Sequence, residues 1–387
     1  MDGMEILSVK ELVKQIRGVS YKPADLHDGP DGASVMLLRA NNIDDGKINF
    51  DDVVYVDKKR VSPEQILQKG DVLICASSGS KSLVGKAATV DFDREVTFGA
   101  FCKVVRPKVV ENSDYISMFF QSPIYRRKIS EVAIGANINN IRNEHIDSLQ
   151  IKWPLIEQRK KDVVILTIID SIIRSRKEEL RRMDELIKAR FVEMFGSVKE
   201  EKLLGDISEF VTVGIANSAT HAYAESGIPM LRNQNIKENH LDDSDLIYIK
   251  PEFAAQYESK KLRENDIIAM RTGYPGIACL VPKKYEGCQT FTTLIVRLKA
   301  GNNPRYVCSY INSDLGRRFI DSGKVGVAQQ NFGAKSLAKM PIKIAPKEIQ
   351  DKYAEFVAQV DKSKVVVQKA LDEAQLLFDS LMQQYFG

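Results

Sequence analysis

The residues best placed to do chemistry lie in "SSGSKSLVGKAAT" (77–89), where two glycines and a Gly-Lys pair suggest a loop that cradles phosphate. A nucleotide loop needs four residues between its glycines and a Ser or Thr after the lysine to hold magnesium. Here five residues separate Gly79 from Gly85, and Ala87 follows Lys86. The corresponding stretch of the second half, "MRTGYPGIACL" (270–280), keeps glycines and has no lysine at that place. A loop that keeps its frame while its chemistry changes reads as a variable recognition loop; a plain surface turn is the other account of such Gly, Pro and Ser clusters.

Other catalytic patterns are missing. The sequence has no GxSxG elbow, HExxH zinc helix or GxGxxG dinucleotide turn. An adenine amino-methyltransferase would want Asn or Asp before Pro-Pro, and no Pro-Pro occurs. Cys75, Cys102, Cys279, Cys288 and Cys308 form no CxxC pair, and their odd number fits reduced thiols. His27, His145, His221 and His240 lack metal-ligand spacing. The chain is therefore expected to catalyse nothing and to bind no metal or cofactor itself.

Binding chemistry is better represented. Arg39 and Arg232 sit at matching positions inside apolar runs, where each could pair with a buried acid or reach a ligand. "NINNIRN" (137–143) and "AQQNFGAK" (328–335) offer amides that suit adenine edges in a major groove, and equally suit hydrogen bonds across a domain–helix junction. Arg126, Arg127 and Arg317, Arg318 form basic pairs on expected helices, suited to solvent or to phosphate. The net charge of +4 is mild; residues 1–153 carry 21 basic and 21 acidic side chains and residues 197–346 carry 20 and 16. A protein gripping many phosphates alone usually shows a stronger basic bias.

The elements that must position these groups come twice. "VMLLRANNI" (35–43) returns 193 residues later as "IPMLRNQNI" (228–236). "LQKGDVLI" pairs with "LRENDIIA", "LVGKAATV" with "YPGIACLV", "PIYRRKI" with "DLGRRFI", and "IGANINNIRNEHIDSLQIKWP" with "VGVAQQNFGAKSLAKMPIKIAP". A period near 190 is too long for a solenoid and marks an internal duplication. "DVVYVD", "GDVLIC", "DLIYIK" and "TLIVRL" predict strands, and stretches near 8–17, 115–130 and 306–321 predict helices. The mix predicts an α+β domain in each half.

Each half closes on a long apolar-periodic stretch opened by proline, Pro154 and Pro346, which suits a helix start. Along the first, Ile165, Ile169, Ile172, Leu180, Met183, Ile187, Phe191 and Met194 form a stripe. Phe356, Val360, Val367, Leu371, Ala374, Phe378, Leu381 and Tyr385 form its counterpart, and two such stripes predict a coiled-coil bar. Two separate amphipathic helices, each buried in its own core, would show the same spacing. The expected domains are 1–153 and 197–345, with long helices at 154–196 and 346–387. The longest apolar runs are short and the N-terminus has acids where a signal peptide wants a basic leader, so a soluble cytoplasmic protein is expected, with no membrane partner.

In that order, twice, these motifs resemble the DNA-specificity subunit of type I restriction–modification systems. The resemblance covers essentially the whole chain. It rests on the "LLRANNI" and "MLRNQNI" strands, the "GDVLI" and "NDIIA" runs with their loops, "GANINNI" and "VAQQNF", and the two long helices. It implies two similar target recognition domains joined by two long antiparallel helices as a pseudo-twofold repeat. Each domain would read half of a bipartite, asymmetric site in double-stranded DNA, and the helices would set the spacer. It implies no catalysis by this chain; two methyltransferase subunits would use S-adenosylmethionine, and restriction subunits would cleave with Mg2+ and ATP. Those subunits would dock on 155–196 and 347–387.

The residues then expected to face DNA are Ser78, Ser80, Lys81, Lys86, Asn137, Asn139, Asn140 and Arg142 in the first half. Their second-half counterparts are Arg271, Thr272, Tyr274, Gln329, Gln330, Asn331 and Lys335. Ile165, Ile169, Ile172, Met183, Ile187, Val360, Val367, Leu371 and Phe378 are expected between the helices or against partners. The second-half "QQNFG" departs from the "NI" or "NL" pair and polar residue of many members. Two rival readings use the same repeat: an adaptor with two ligand-binding domains on a coiled coil that never touches DNA, and an independent enzyme with an unrecognised site.

Overall fold

The computed structural model describes residues 4–44, 46–80, 82–135, 140–216, 220–323 and 331–387. The chain divides into two compact units, Met1–Lys177 with Lys369–Gly387, and Glu178–Gln368. Both have the same α+β plan.

In the first unit, Val13–Arg17, Cys102–Pro107, Val72–Cys75 and Ala87–Thr89 lie side by side as an antiparallel sheet. In the second, Ser208–Val213, Leu294–Leu298, Ile267–Ala269 and Ala278–Leu280 repeat that order. A further sheet in each unit centres on the duplicated run: Ser34–Leu38 between Val96–Phe98 and Val54–Asp57, and Ile228–Leu231 between Gln289–Thr290 and Ile247–Ile249. The four runs expected as strands all contribute one.

Two glycines show how closely the copies agree. A Cβ on Gly18 would stand 2.1 Å from the Gly99 carbonyl oxygen, and one on Gly214 would stand 2.3 Å from that of Thr290. Backbone cannot give way as a flexible side chain can. Gly18→Ala and Gly214→Ala are each expected to destabilise their own unit by about 1–3 kcal/mol, the range for overpacking. Urea titration of each variant checks this, and an unchanged midpoint would contradict it.

Three helix expectations need correction. Residues 8–17 give only the short helix Val9–Leu12, then the strand Val13–Arg17. "VKQIR" has Val13 and Ile16 buried and pairs with Cys102–Pro107, so sheet pairing overrides the apolar spacing. The stretch 115–130 is two helices, Ser113–Gln121 and Pro123–Gly135, broken where Pro123 cannot donate. The stretch 306–321 is also two, Pro304–Asn312 and Asp314–Ser322, with Ser313 capping the second through Gly316 N–H at 3.3 Å.

The two long helices run Ile156–Phe195 and Lys347–Phe386, 40 residues each. At 1.5 Å per residue each is roughly 60 Å long. Every compact unit holds the N-terminal half of one and the C-terminal half of the other. In the first unit, Leu166 shares a core with Met382 and Phe386; in the second, the Phe191 ring meets Tyr353 at 5.5 Å. Early residues of one helix meet late residues of the other in both units, which is antiparallel pairing.

The expected stripe divides into buried and exposed positions. Leu166, Ile169 and Ile173 are buried, whereas Ile165 and Ile172 are exposed. Neighbouring residues differ by about 100° around a helix, and a run such as "VVILTII" offers an apolar side chain at nearly every angle. Ile187, Val360, Val367 and Leu371 are buried, and Met183 and Phe378 are partly buried against the cores.

Candidate nucleic-acid interface

The strands of the first unit deliver two predicted segments to one place. Ser77 bridges Asn140, and the Ile141 N–H donates to the Ala76 carbonyl at 2.7 Å. The Ser77 N–H donates to the Phe101 carbonyl at 3.0 Å, which adds a third loop. A cleft of about 610 Å³ opens beside the 77–79 and 99–102 loops, its lining including Tyr21, Arg39, Asn41, Ser77, Ser78 and Phe101. Phe101 is 71% exposed, unusual for a phenylalanine.

The second unit repeats the junction with different side chains. Thr272 bridges Asn331, and the Phe332 N–H donates to the Arg271 carbonyl at 3.0 Å. Arg271 Nε donates to Asn331 Oδ1 at 3.1 Å. Asn233 Nδ2 donates to Thr272 Oγ1 at 2.8 Å. Tyr274 projects from the same loop and is 74% exposed.

The predicted residues therefore divide. Ser78, Ser80 and Asn140 lie on segments that meet in the first unit, and Arg271, Thr272, Tyr274 and Asn331 on segments that meet in the second. Arg142 is exposed and pairs with Glu144 at 3.4 Å, and Lys335 is exposed on the short helix Ala334–Ala338. Lys86 lines a separate pocket with Gln121, Arg126 and Arg174. Lys81, Asn137, Asn139, Gln329 and Gln330 lie outside the described residues.

The basic pairs split the same way in both halves. Arg126 donates to the Val84 and Ser82 carbonyls at 2.8 and 3.0 Å, pinning the glycine loop from behind. Arg317 reaches Asn312 Oδ1 at 3.4 Å and Glu238 at 3.8 Å. Arg127 and Arg318 are exposed.

Arg39 and Arg232 pair with acids, and those acids are exposed rather than buried. Arg39 Nη2 donates to the Asp52 backbone oxygen at 2.7 Å and to its carboxylate at 2.8 Å. Arg232 does the same with Asp245 at 3.1 and 3.0 Å. Beside them the buried Asn42 and Asn235 accept from the Arg39 and Arg232 N–H groups at 2.8 and 2.9 Å, fixing the turn after each strand. The repeated Asn of "RANNI" and "RNQNI" was the signal for this frame.

A second duplicated pair escaped sequence reading. Asp71 and Arg106 form a two-pronged ion pair with 1% and 17% side-chain exposure, and Asp266 and Arg297 repeat it with 2% and 11%. It ties each loop-bearing strand to its neighbour.

The five cysteines are free and buried. Burial pushes the Cys288 thiol up to about 11 and Cys308 up to about 12, so neither is a thiolate near neutral pH. Among the described residues no group of three His, Cys, Asp or Glu side chains could hold a metal ion, and no helix is long and apolar enough to cross a membrane.

The arrangement matches known proteins along its length. The model of the type I restriction modification DNA specificity domain matches residues 2–182 and again 197–374. The chain is 26% identical to the Type I restriction enzyme EcoKI specificity subunit of Escherichia coli (strain K12), covering 100% of this chain and 89% of that one. A chain from a structural study of complex assembly and conformational transition of the type I R-M system aligns with TM-score 0.58 at 15% identity, covering 100% of this chain and 98% of that one. The type I restriction-modification S subunit from M. genitalium aligns with TM-score 0.54 at 13% identity, covering 100% and 96%. With a specificity-domain match in each half, the chain belongs to the type I restriction modification DNA specificity family.

Proposed function

We propose that the chain is the specificity subunit of a type I restriction–modification enzyme, working in the cytoplasm. Each unit reads one half of a bipartite, asymmetric site in double-stranded DNA, and the paired helices set the unread spacer. The observation that carries this reading is the duplicated turn: one frame of Arg, Asp and Asn, built twice, with different side chains around it. An asymmetric target needs the same scaffold with different reading groups.

The chain supplies no catalysis in this reading. Two methyltransferase subunits bring S-adenosylmethionine, and restriction subunits bring cleavage with Mg2+ and ATP. Docking of such partners is supported by the exposed apolar row Val164, Ile165, Ile168 and Ile172 on the first half of the central helix. A near-neutral first half also suits a subunit whose partners share the phosphate contacts.

The test is DNA binding by the purified chain with its cognate methyltransferase subunit across a salt series. Phosphate contacts release counterions, so affinity should fall linearly in log–log form, by roughly 10³-fold or more between 50 and 200 mM salt for six or more contacts. A stable protein complex that leaves DNA unbound at every salt would favour the protein-only adaptor.

A further inference from the structure

We propose that Asn41 and Gln234 are specificity-determining side chains, each reading a base edge in its own half-site. The proposal rests on the DNA-reading function given above and deepens it.

The internal duplication is a built-in comparison. Arg39 and Arg232, Asp52 and Asp245, and Asn42 and Asn235 make the same bonds in the two units, so they are frame and carry no difference between half-sites. Between arginine and asparagine lie two positions that differ, Ala40 against Asn233 and Asn41 against Gln234. Ala40 has no polar side chain, and Asn233 is committed to Thr272 and the Arg271 N–H. That leaves Asn41 and Gln234, both exposed.

Each amide is aimed by the acid that holds the arginine. Asn41 Nδ2 donates to Asp52 Oδ2 at 3.2 Å, and Gln234 Nε2 donates to Asp245 Oδ2. An amide carries two N–H donors and a carbonyl acceptor. With one N–H on the aspartate, the second N–H and the oxygen remain for a ligand. That is the donor–acceptor pair with which Asn and Gln meet adenine N7 and N6. Holding the side chain beforehand lowers the ordering entropy lost on binding. Asn41 also lines the cleft with Ser77, Ser78 and Phe101, where a base edge has room. The extra methylene of Gln234 shifts the same chemistry outward in the other unit.

The experiment is methylation mapping in cells expressing the methyltransferase with the unmodified chain, N41A or Q234A. N41A should relax one position of one half-site by roughly 10- to 100-fold in discrimination and leave the other half unchanged; Q234A should do the reverse. An unmodified complex that leaves no sequence-specific mark overturns the DNA-reading function, and this proposal with it. A normal mark from the unmodified complex with both half-sites unaltered in the variants overturns the proposal alone. Assembly is checked by co-elution with the methyltransferase. Where an alanine variant does not assemble, N41Q or Q234N keeps the amide: a changed preference at one position supports the assignment, and an unchanged half-site overturns it.

Discussion

Asp71→Ala is expected to destabilise the first unit by about 3–5 kcal/mol, and Asp266→Ala to do the same to the second, because each leaves a largely buried guanidinium, 17% exposed in Arg106 and 11% in Arg297, without its counter-charge. Arg106 Nε and Nη2 donate to the two Asp71 oxygens at 2.8 and 2.7 Å, and Nη2 also donates to the Ile66 carbonyl at 2.8 Å. Arg297 repeats this on Asp266 at 2.8 and 2.6 Å and on the Lys261 carbonyl at 3.0 Å. The carboxylates are satisfied further by the Gln68 and Arg263 N–H groups at 2.8 and 2.7 Å.

A pair so completely bonded is costly to break from one side. Removing both charges is a different matter: Asp71→Leu with Arg106→Met is expected to recover much of the loss, since no ion is then buried alone. Hydrogen-exchange protection of Val72–Cys75 and Cys102–Pro107 reads the effect locally. Protection in D71A equal to that of the unmodified chain would show that the pair contributes little.

The second large effect is expected from the C-terminal ends of the long helices. Phe386→Ala and Phe195→Ala should each cost about 3–5 kcal/mol, the range for emptying a buried aromatic site. Phe386 is 2% exposed and meets Tyr115 at 5.0 Å and Phe119 at 5.9 Å. Phe195 is 1% exposed and meets Tyr306 at 4.4 Å and Tyr353 at 5.4 Å. Tyr115 and Tyr306 are themselves matched, each donating its hydroxyl to a strand carbonyl, Lys152 at 3.1 Å and Lys343 at 2.5 Å.

The expected signature is crossed. F386A, at the far end of the chain, should loosen the unit that contains residues 1–177, while F195A should loosen the unit built from Glu178–Gln368. Limited proteolysis with mapped cleavage sites separates the two. Cuts in F386A confined to the second unit would contradict the pairing of helix ends with cores.

These effects show what the sequence displays and what it hides. The duplication is plain because strands and turns keep local patterns, such as "RANNI" against "RNQNI". The helix starts after Pro154 and Pro346 are plain because proline acts locally. The helix register is hidden: Ile165 and Leu166 are equally apolar, and only packing decides that Leu166 turns inward. Asp71 and Arg106 lie 35 residues apart and Asp266 and Arg297 lie 31 apart, so their pairing appears only when strand order is known. Asn41 and Gln234 were hidden for a related reason: a polar residue after a strand looks like turn chemistry until Asp52 and Asp245 are seen to aim it.

In the function proposed above, this chain gives a methyltransferase its DNA sequence. The most direct measurement is a map of N6-methyladenine in DNA from cells expressing the chain with its cognate methyltransferase, set against cells expressing the methyltransferase alone. Methylation at a two-part asymmetric sequence is expected only when both are present. A sequence-specific mark that persists without the chain, or none although the two proteins form a complex, would contradict it.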